Sequence, residues 1–477
     1  MNINQWCTKD EQISTGLKKE YWKMEVGQKF SEQRIAQSEH QSADHARLFL
    51  KQFRQPQELY ESAVGSLVSE QTYPLHLALT KARKEQICSN KHRFRGKPVC
   101  WSTWRQFVVK ATDAQRKQVF DEFIRKAHAL DAVVQKRFEL AKDIYAHYDL
   151  EPLQCYLDDH HLGLGKLKAV ITELSNGTRS AFQKQWKHYS QHFLGRNQRY
   201  YDDLYFMRNL VYEDLVPAFK TIRPLPILLR TMKTLGFSNK YITVDDADRS
   251  GKYASPFCSA IVVPTDVRVS FKPENPLQTT ESLYHEFGHA IHESHIDRTL
   301  PYWVKYQCSE GLAETFSTLF EYLLQDERYL TEMLGLPERV AKTLVERARF
   351  IELFAIHFYS ANSFFRIDYW EKNVPFEKCD ALYAKHMKRF MDIPMPGAYW
   401  KLHHILPESL MYVPSYLLAM TNSFNVIQEL THDFGERWWN EPGAGKRIKA
   451  FMQPGSRSPL ADFSRLNTKH FVKHFSR

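Results

Sequence analysis

The 477-residue sequence predicts a mainly α-helical protein with one small β-sheet, and three observations carry that expectation. Apolar residues recur every three or four positions through most of the chain. Short β-branched runs gather in one place, between about residues 240 and 271. Apolar residues make up 43% and charged residues 25% of the chain, the profile of a globular protein with a large core. No repeat at a fixed period and no low-complexity linker interrupts it.

The elements follow in chain order. Residues 1 to about 230 read as helix after helix. The clearest helix runs from near Thr112 to about His147, with Phe120, Phe123, Ala127, Leu130, Val134, Phe138, Ala141 and Ile144 on one buried stripe. Another amphipathic stretch covers about Arg199 to Phe219. Tyr241 to Val244, Ser259 to Val263 and Val267 to Phe271 then read as three strands. Helical periodicity resumes at Pro276 and continues to the end. A division follows: residues 1–230 as a helical part, and 231–477 as the part that carries the sheet and the chemistry, the two halves interleaved.

Composition limits the function classes. Lys and Arg number 65 against 55 Asp and Glu, a formal charge of +10. The most basic stretch, Lys81 to Lys97, precedes Trp101 and Trp104, but no nucleic-acid motif accompanies it, and a solvated face is the expectation. No apolar run approaches the roughly 18 residues of a membrane span. Met1 to Glu11 is polar where a signal peptide would be apolar, so a cytoplasmic protein with no membrane or nucleic-acid partner is expected. The seven cysteines are scattered and form no C-x-x-C pair; reduced thiols are expected rather than disulfides or a thiolate zinc cluster.

The chemistry is concentrated in His285-Glu-Phe-Gly-His289, an H-E-x-x-H pattern. On a helix, residues four apart share a face, so both imidazoles can reach one metal ion, with Glu286 at the edge of that face as the base. Asn275 is placed to cap this helix, Pro276 suits its first turn, and Gln278 falls at the capping-box position. Gly288 inside it implies that something packs closely there. A two-histidine zinc site commonly takes a Glu as third ligand. Cys308 to Leu324 is an amphipathic helix that offers Glu310, Glu314 and Glu321 on one side, and by itself such a row of carboxylates is usually solvated. Asp158-Asp-His-His161 ends a helical pattern and reads as a solvated terminus. His292 and His295 read as supporting or surface residues.

The run His285 to His292, H-E-F-G-H-A-I-H, resembles the metal helix of the zinc oligopeptidases typified by thimet oligopeptidase and oligoendopeptidase F. That family's third ligand is a Glu lying 29 residues after the first His in an E-x-x-S helix, and Glu314 to Ser317 matches the spacing and the pattern. Arg249 to Pro273 is similar to the family's sheet edge beside the metal helix. Weaker similarity covers Leu140 to Gly163, Ser360 to Trp370 and Pro454 to Pro459. The resemblance implies a clam-like helical fold around a deep channel and one zinc ion held by His285, His289 and Glu314. It further implies Glu286 as general base, and oligopeptide substrates whose backbone pairs with the strand near Ser259 to Val263. A His and one or two Tyr late in the chain reach over the metal in that family. His404 and Tyr416 match them here, with Tyr412 as a second candidate, although Ile405 to Pro414 has two prolines and none of the family's glycines. The expected activity is a monomeric zinc endopeptidase acting on short peptides. The alternatives are a carboxypeptidase of a related helical zinc fold, which needs a group to fix the substrate's C-terminal carboxylate, and a catalytically silent peptide-binding protein.

Overall fold

The computed structural model describes residues 2–253, 255–272, 275–403 and 411–476. It is mainly helical with small sheets, as the periodicity predicts. Helices Ile3–Glu25, Glu32–Gln52 and Gln57–Glu85 form an N-terminal layer whose core centres on Trp6, Phe49, Leu59 and Tyr60. A much larger core extends from Leu79 to Phe475 and encloses the H-E-x-x-H helix.

Two corrections concern the N-terminal part. Cys88–Phe94 and Lys97–Cys100 pair as an antiparallel ribbon inside the stretch read as all helix. Arg95 and Gly96 make the two-residue turn, both with positive φ (51° and 77°), the backbone that such a tight hairpin requires. Its register sets Cys88 opposite Cys100, and the two form a disulfide. Spacing along the sequence gave no hint of it, because strand register decides which cysteines meet. The second correction is smaller. The Thr112–His147 stripe is buried at all eight positions, but a 3₁₀ segment, Ala127–Leu130, divides Asp113–Lys126 from Asp131–His147. The apolar period survives this tightening because the 3₁₀ turn also places residues i and i+3 on one side.

The predicted strands lie close to their expected places, at Ile242–Asp245, Phe257–Val262 and Asp266–Ser270. The last is central, parallel to the first and antiparallel to the second. Phe257–Val262 is therefore an edge strand. Its Ala260 carbonyl already accepts a hydrogen bond from Lys18 Nζ at 3.0 Å, while Trp22 of the first helix and Val26, which follows that helix, pack on Ile261. The buried Lys252 Nζ pins the sheet's entry, donating to the Asp245 carboxylate at 2.8 Å and the Phe271 carbonyl at 3.0 Å.

Helix Pro276–His295 follows directly. The Asn275 side chain accepts from the Leu277 and Gln278 amides, at 3.1 and 3.2 Å. The capping box is not completed, since the Gln278 side chain donates to Asn209 instead. Helix Glu310–Glu321 packs against it, Val413–Phe434 packs on Glu310–Glu321, and Glu338–Glu371 packs on Val413–Phe434.

Candidate metal centre

The close packing implied by Gly288 is the crossing of Pro276–His295 with Glu310–Glu321. A Cβ on Gly288 would lie 2.6 Å from the Phe316 carbonyl oxygen and 2.7 Å from Ser317 Cα. Only glycine lets the two backbones approach so far, and that approach brings Glu314 to the histidines. His285 Nε2 lies 3.4 Å and His289 Nε2 3.8 Å from the same Glu314 oxygen, Oε2. All three ligand atoms fall within 4.8 Å of one another. Tetrahedral zinc with bonds of about 2.0–2.1 Å spaces its ligands about 3.3 Å apart, so the two imidazole–carboxylate spacings are near those that such an ion needs.

Each ligand is held from behind. His285 Nδ1–H donates to Glu321 Oε2 at 2.8 Å, which leaves Nε2 facing the metal position. His289 lies near the Ala313 backbone, which favours its charged form. Glu314, 3% exposed, accepts from Ser317 Oγ at 3.0 Å through Oε2, and the Tyr412 hydroxyl donates to Oε1. Glu314 is thus no solvated carboxylate.

The electrostatics follow from burial and these partners. Burial opposes charge on His285, but the Glu321 hydrogen bond and the Glu314 charge outweigh it and push its pKa up to about 10. For His289 burial outweighs the opposing pull of Glu314 and pushes the pKa down to about 4. Burial pushes Glu286 up to about 7, against the attraction of His285 and the Cys258 backbone N–H. A cation held by His285, His289 and Glu314 would take the place of the proton that His285 otherwise holds.

A cavity of about 330 Å³ opens beside the set and is walled in part by His285, Glu286, Tyr416, Tyr359, Arg105 and Arg208. Tyr416 stacks on Tyr359 with ring centroids 4.9 Å apart. Its hydroxyl is held well above the usual phenol range by burial and by Glu314, so it stays protonated. Arg208 pairs with Glu281 at 2.8 Å. Arg105 lies over the Tyr205 ring at 3.8 Å and, although the Asp203 carboxylate feels its charge, it forms no ion pair among the described residues.

The structure therefore brings together His285, Glu286, His289, Glu314, Tyr412 and Tyr416. His404 lies outside the described residues. Sequence reasoning missed Glu321 and Arg105 as site residues. Glu321 had a signal, since it falls seven residues after Glu314, two turns along the same side of the helix. Nothing local marks Arg105.

Residues 226–367 match the family model of the carboxypeptidase Taq (M32) metallopeptidases. The match covers just under a third of the chain and includes His285, Glu286, His289 and Glu314. No curated protein matches the chain. The family match supports zinc metallopeptidase chemistry, and it points to a different family from the thimet and oligoendopeptidase F group that the metal helix resembles.

Proposed function

We propose that the protein hydrolyses short peptides at a zinc centre held by His285, His289 and Glu314, and that it releases residues from the C-terminal end. The observation that carries this reading is a cavity whose wall holds His285 of the convergent ligand set, the half-buried base Glu286, and Arg105, a cation with no ion pair among the described residues. Zinc, when bound, supplies Lewis-acid polarisation of the scissile carbonyl. Glu286 takes the proton of the attacking water and passes it to the leaving amine. The protonated Tyr416 hydroxyl donates to the oxyanion that develops on the carbonyl. Tyr412, committed to Glu314, orients that ligand. Arg105, stacked on Tyr205 and in no ion pair among the described residues, is the group that would fix a substrate's terminal carboxylate. Arg208 is already neutralised by Glu281.

A second reading, an oligoendopeptidase, is favoured by the H-E-F-G-H-A-I-H run and the E-x-x-S pattern at Glu314. A peptide library with free or amidated C-termini, read by mass spectrometry, separates the two. Stepwise shortening of free-ended peptides, with amidated ones spared, is the expected result. Internal cuts that ignore the end block would establish the endopeptidase instead, and full activity in chelator-stripped protein would remove the zinc mechanism altogether.

A further inference from the structure

His160 belongs to the Asp158-Asp-His-His161 run that reads as a solvated helix end. Asp158, Asp159 and His161 are indeed exposed, but His160 is wholly buried. Its ring stacks on Tyr156, centroids 4.1 Å apart, and its Nδ1–H donates to the Tyr156 carbonyl at 2.8 Å. That bond leaves Nε2 as an acceptor. Nε2 takes the backbone N–H of Gly311 at 3.0 Å and lies 3.3 Å from Ser415 Oγ, which also reaches the Tyr156 hydroxyl at 3.2 Å.

Both partners sit at sensitive places. Gly311 is in the first turn of Glu310–Glu321, where backbone N–H groups have no partner within the helix. Ser309 Oγ caps the Leu312 amide, and His160 caps the Gly311 amide. Glu314 lies one turn further on, so the pitch of that first turn sets the position of its carboxylate. A side chain at residue 311 would displace the imidazole, because a Cβ there would lie 2.7 Å from His160 Cδ2. Ser415 precedes Tyr416 on Val413–Phe434. One imidazole thus joins the helix that carries the third ligand to the helix that carries the cavity tyrosine.

We propose that His160 is a positioning residue for the metal centre. Through Nε2 it fixes the first turn that presents Glu314, and it holds Ser415, and so Tyr416, in register with it. The inference rests on the reading of Glu314 as a zinc ligand.

The test is zinc affinity, measured by competition with a chromogenic chelator on the full chain, together with kcat and KM. In His160→Gln the longer amide can present an oxygen to the Gly311 N–H, whereas in His160→Asn the amide falls short of it. We expect His160→Asn to bind zinc about 10–100-fold more weakly and to lose kcat with little change in KM, and His160→Gln to recover most of both. Zinc affinity within twofold of the parent in both variants would overturn the proposal. So would equal losses in both that scale only with a lowered Tm, the mark of a structural role. Glu314→Gln is the control for the underlying reading. If it binds zinc as tightly as the parent, the ligand assignment itself falls, and the role of His160 falls with it.

Discussion

The N-terminal layer and the helices of the candidate metal centre bury their polar groups in opposite ways. In the layer, Trp6 and His45 satisfy each other: Trp6 Nε1 donates to the His45 carbonyl at 3.0 Å, His45 Nε2 donates to the Trp6 carbonyl at 2.9 Å, and the rings stack 4.6 Å apart. Its ion pairs, such as Arg47 with Glu70 at 2.7 Å and Lys23 with Glu20 at 2.6 Å, lie nearer the surface. Around the metal centre the charges turn inward. His285 faces Glu321, Arg208 faces Glu281, and Glu314 is almost fully buried. Desolvation makes such groups costly unless each is hydrogen-bonded, and here each is. The first region contributes stability, and the second contributes a charge arrangement set by partners.

Acid should expose this difference most strongly. Burial pushes His160 and His357 down to about 4 and His292 to about 3, and all three lie outside the N-terminal layer. Their folded pKa values fall below the unfolded value near 6.5, so the unfolded chain binds more protons between the two. Their stability contribution is complete above about pH 6.5 and is lost as pH falls toward 4, at about 3 kcal/mol apiece. Urea unfolding between pH 7 and pH 4 checks this; a flat profile would show that the three sites do not stay neutral.

Trp6→Ala should cost about 3–5 kcal/mol of unfolding free energy and leave zinc affinity unchanged. A loss of zinc affinity would break the comparison, since the layer would then be part of the site. Glu286→Gln should do the reverse. Turnover should fall about 10²–10⁴-fold while metal content and Tm stay near the parent. Turnover equal to the parent's would remove Glu286 from the chemistry. The smallest expected change sharpens the second half of the contrast: Glu321→Ala should weaken zinc binding about 10–100-fold by releasing His285 Nδ1, and equilibrium dialysis against a metal buffer reads it directly.

Much of this was legible before any coordinates. Asn275, Pro276 and the His285/His289 spacing define the metal helix through interactions a few residues long, and the strands from Ile242 to Ser270 follow local β-branched runs. The resemblance reached Glu314 by its spacing from His285 and its E-x-x-S pattern. It also brought Tyr412 and Tyr416 to the site together, but their ranking came from the fold. Tyr412 donates to the ligand carboxylate, while Tyr416 stands in the cavity wall.

The sequence by itself determined the helices, the small sheet and the pair of imidazoles on one face, because those depend on periods of two and 3.6 residues and on caps adjacent in the chain. Tertiary structure decided everything that needs a partner from elsewhere. Cys100 reaches Cys88 only through ribbon register, and Gly288 lets Glu314 approach only because two helices cross there. His160 meets Gly311 and Ser415 across about 150 and 255 intervening positions. Arg105 enters the cavity on a helix far from the motif. A residue's local pattern fixes the direction of its side chain along its own element, but only packing determines what that side chain meets, and at this site those meetings set the charge, the hydrogen bonds and the chemistry.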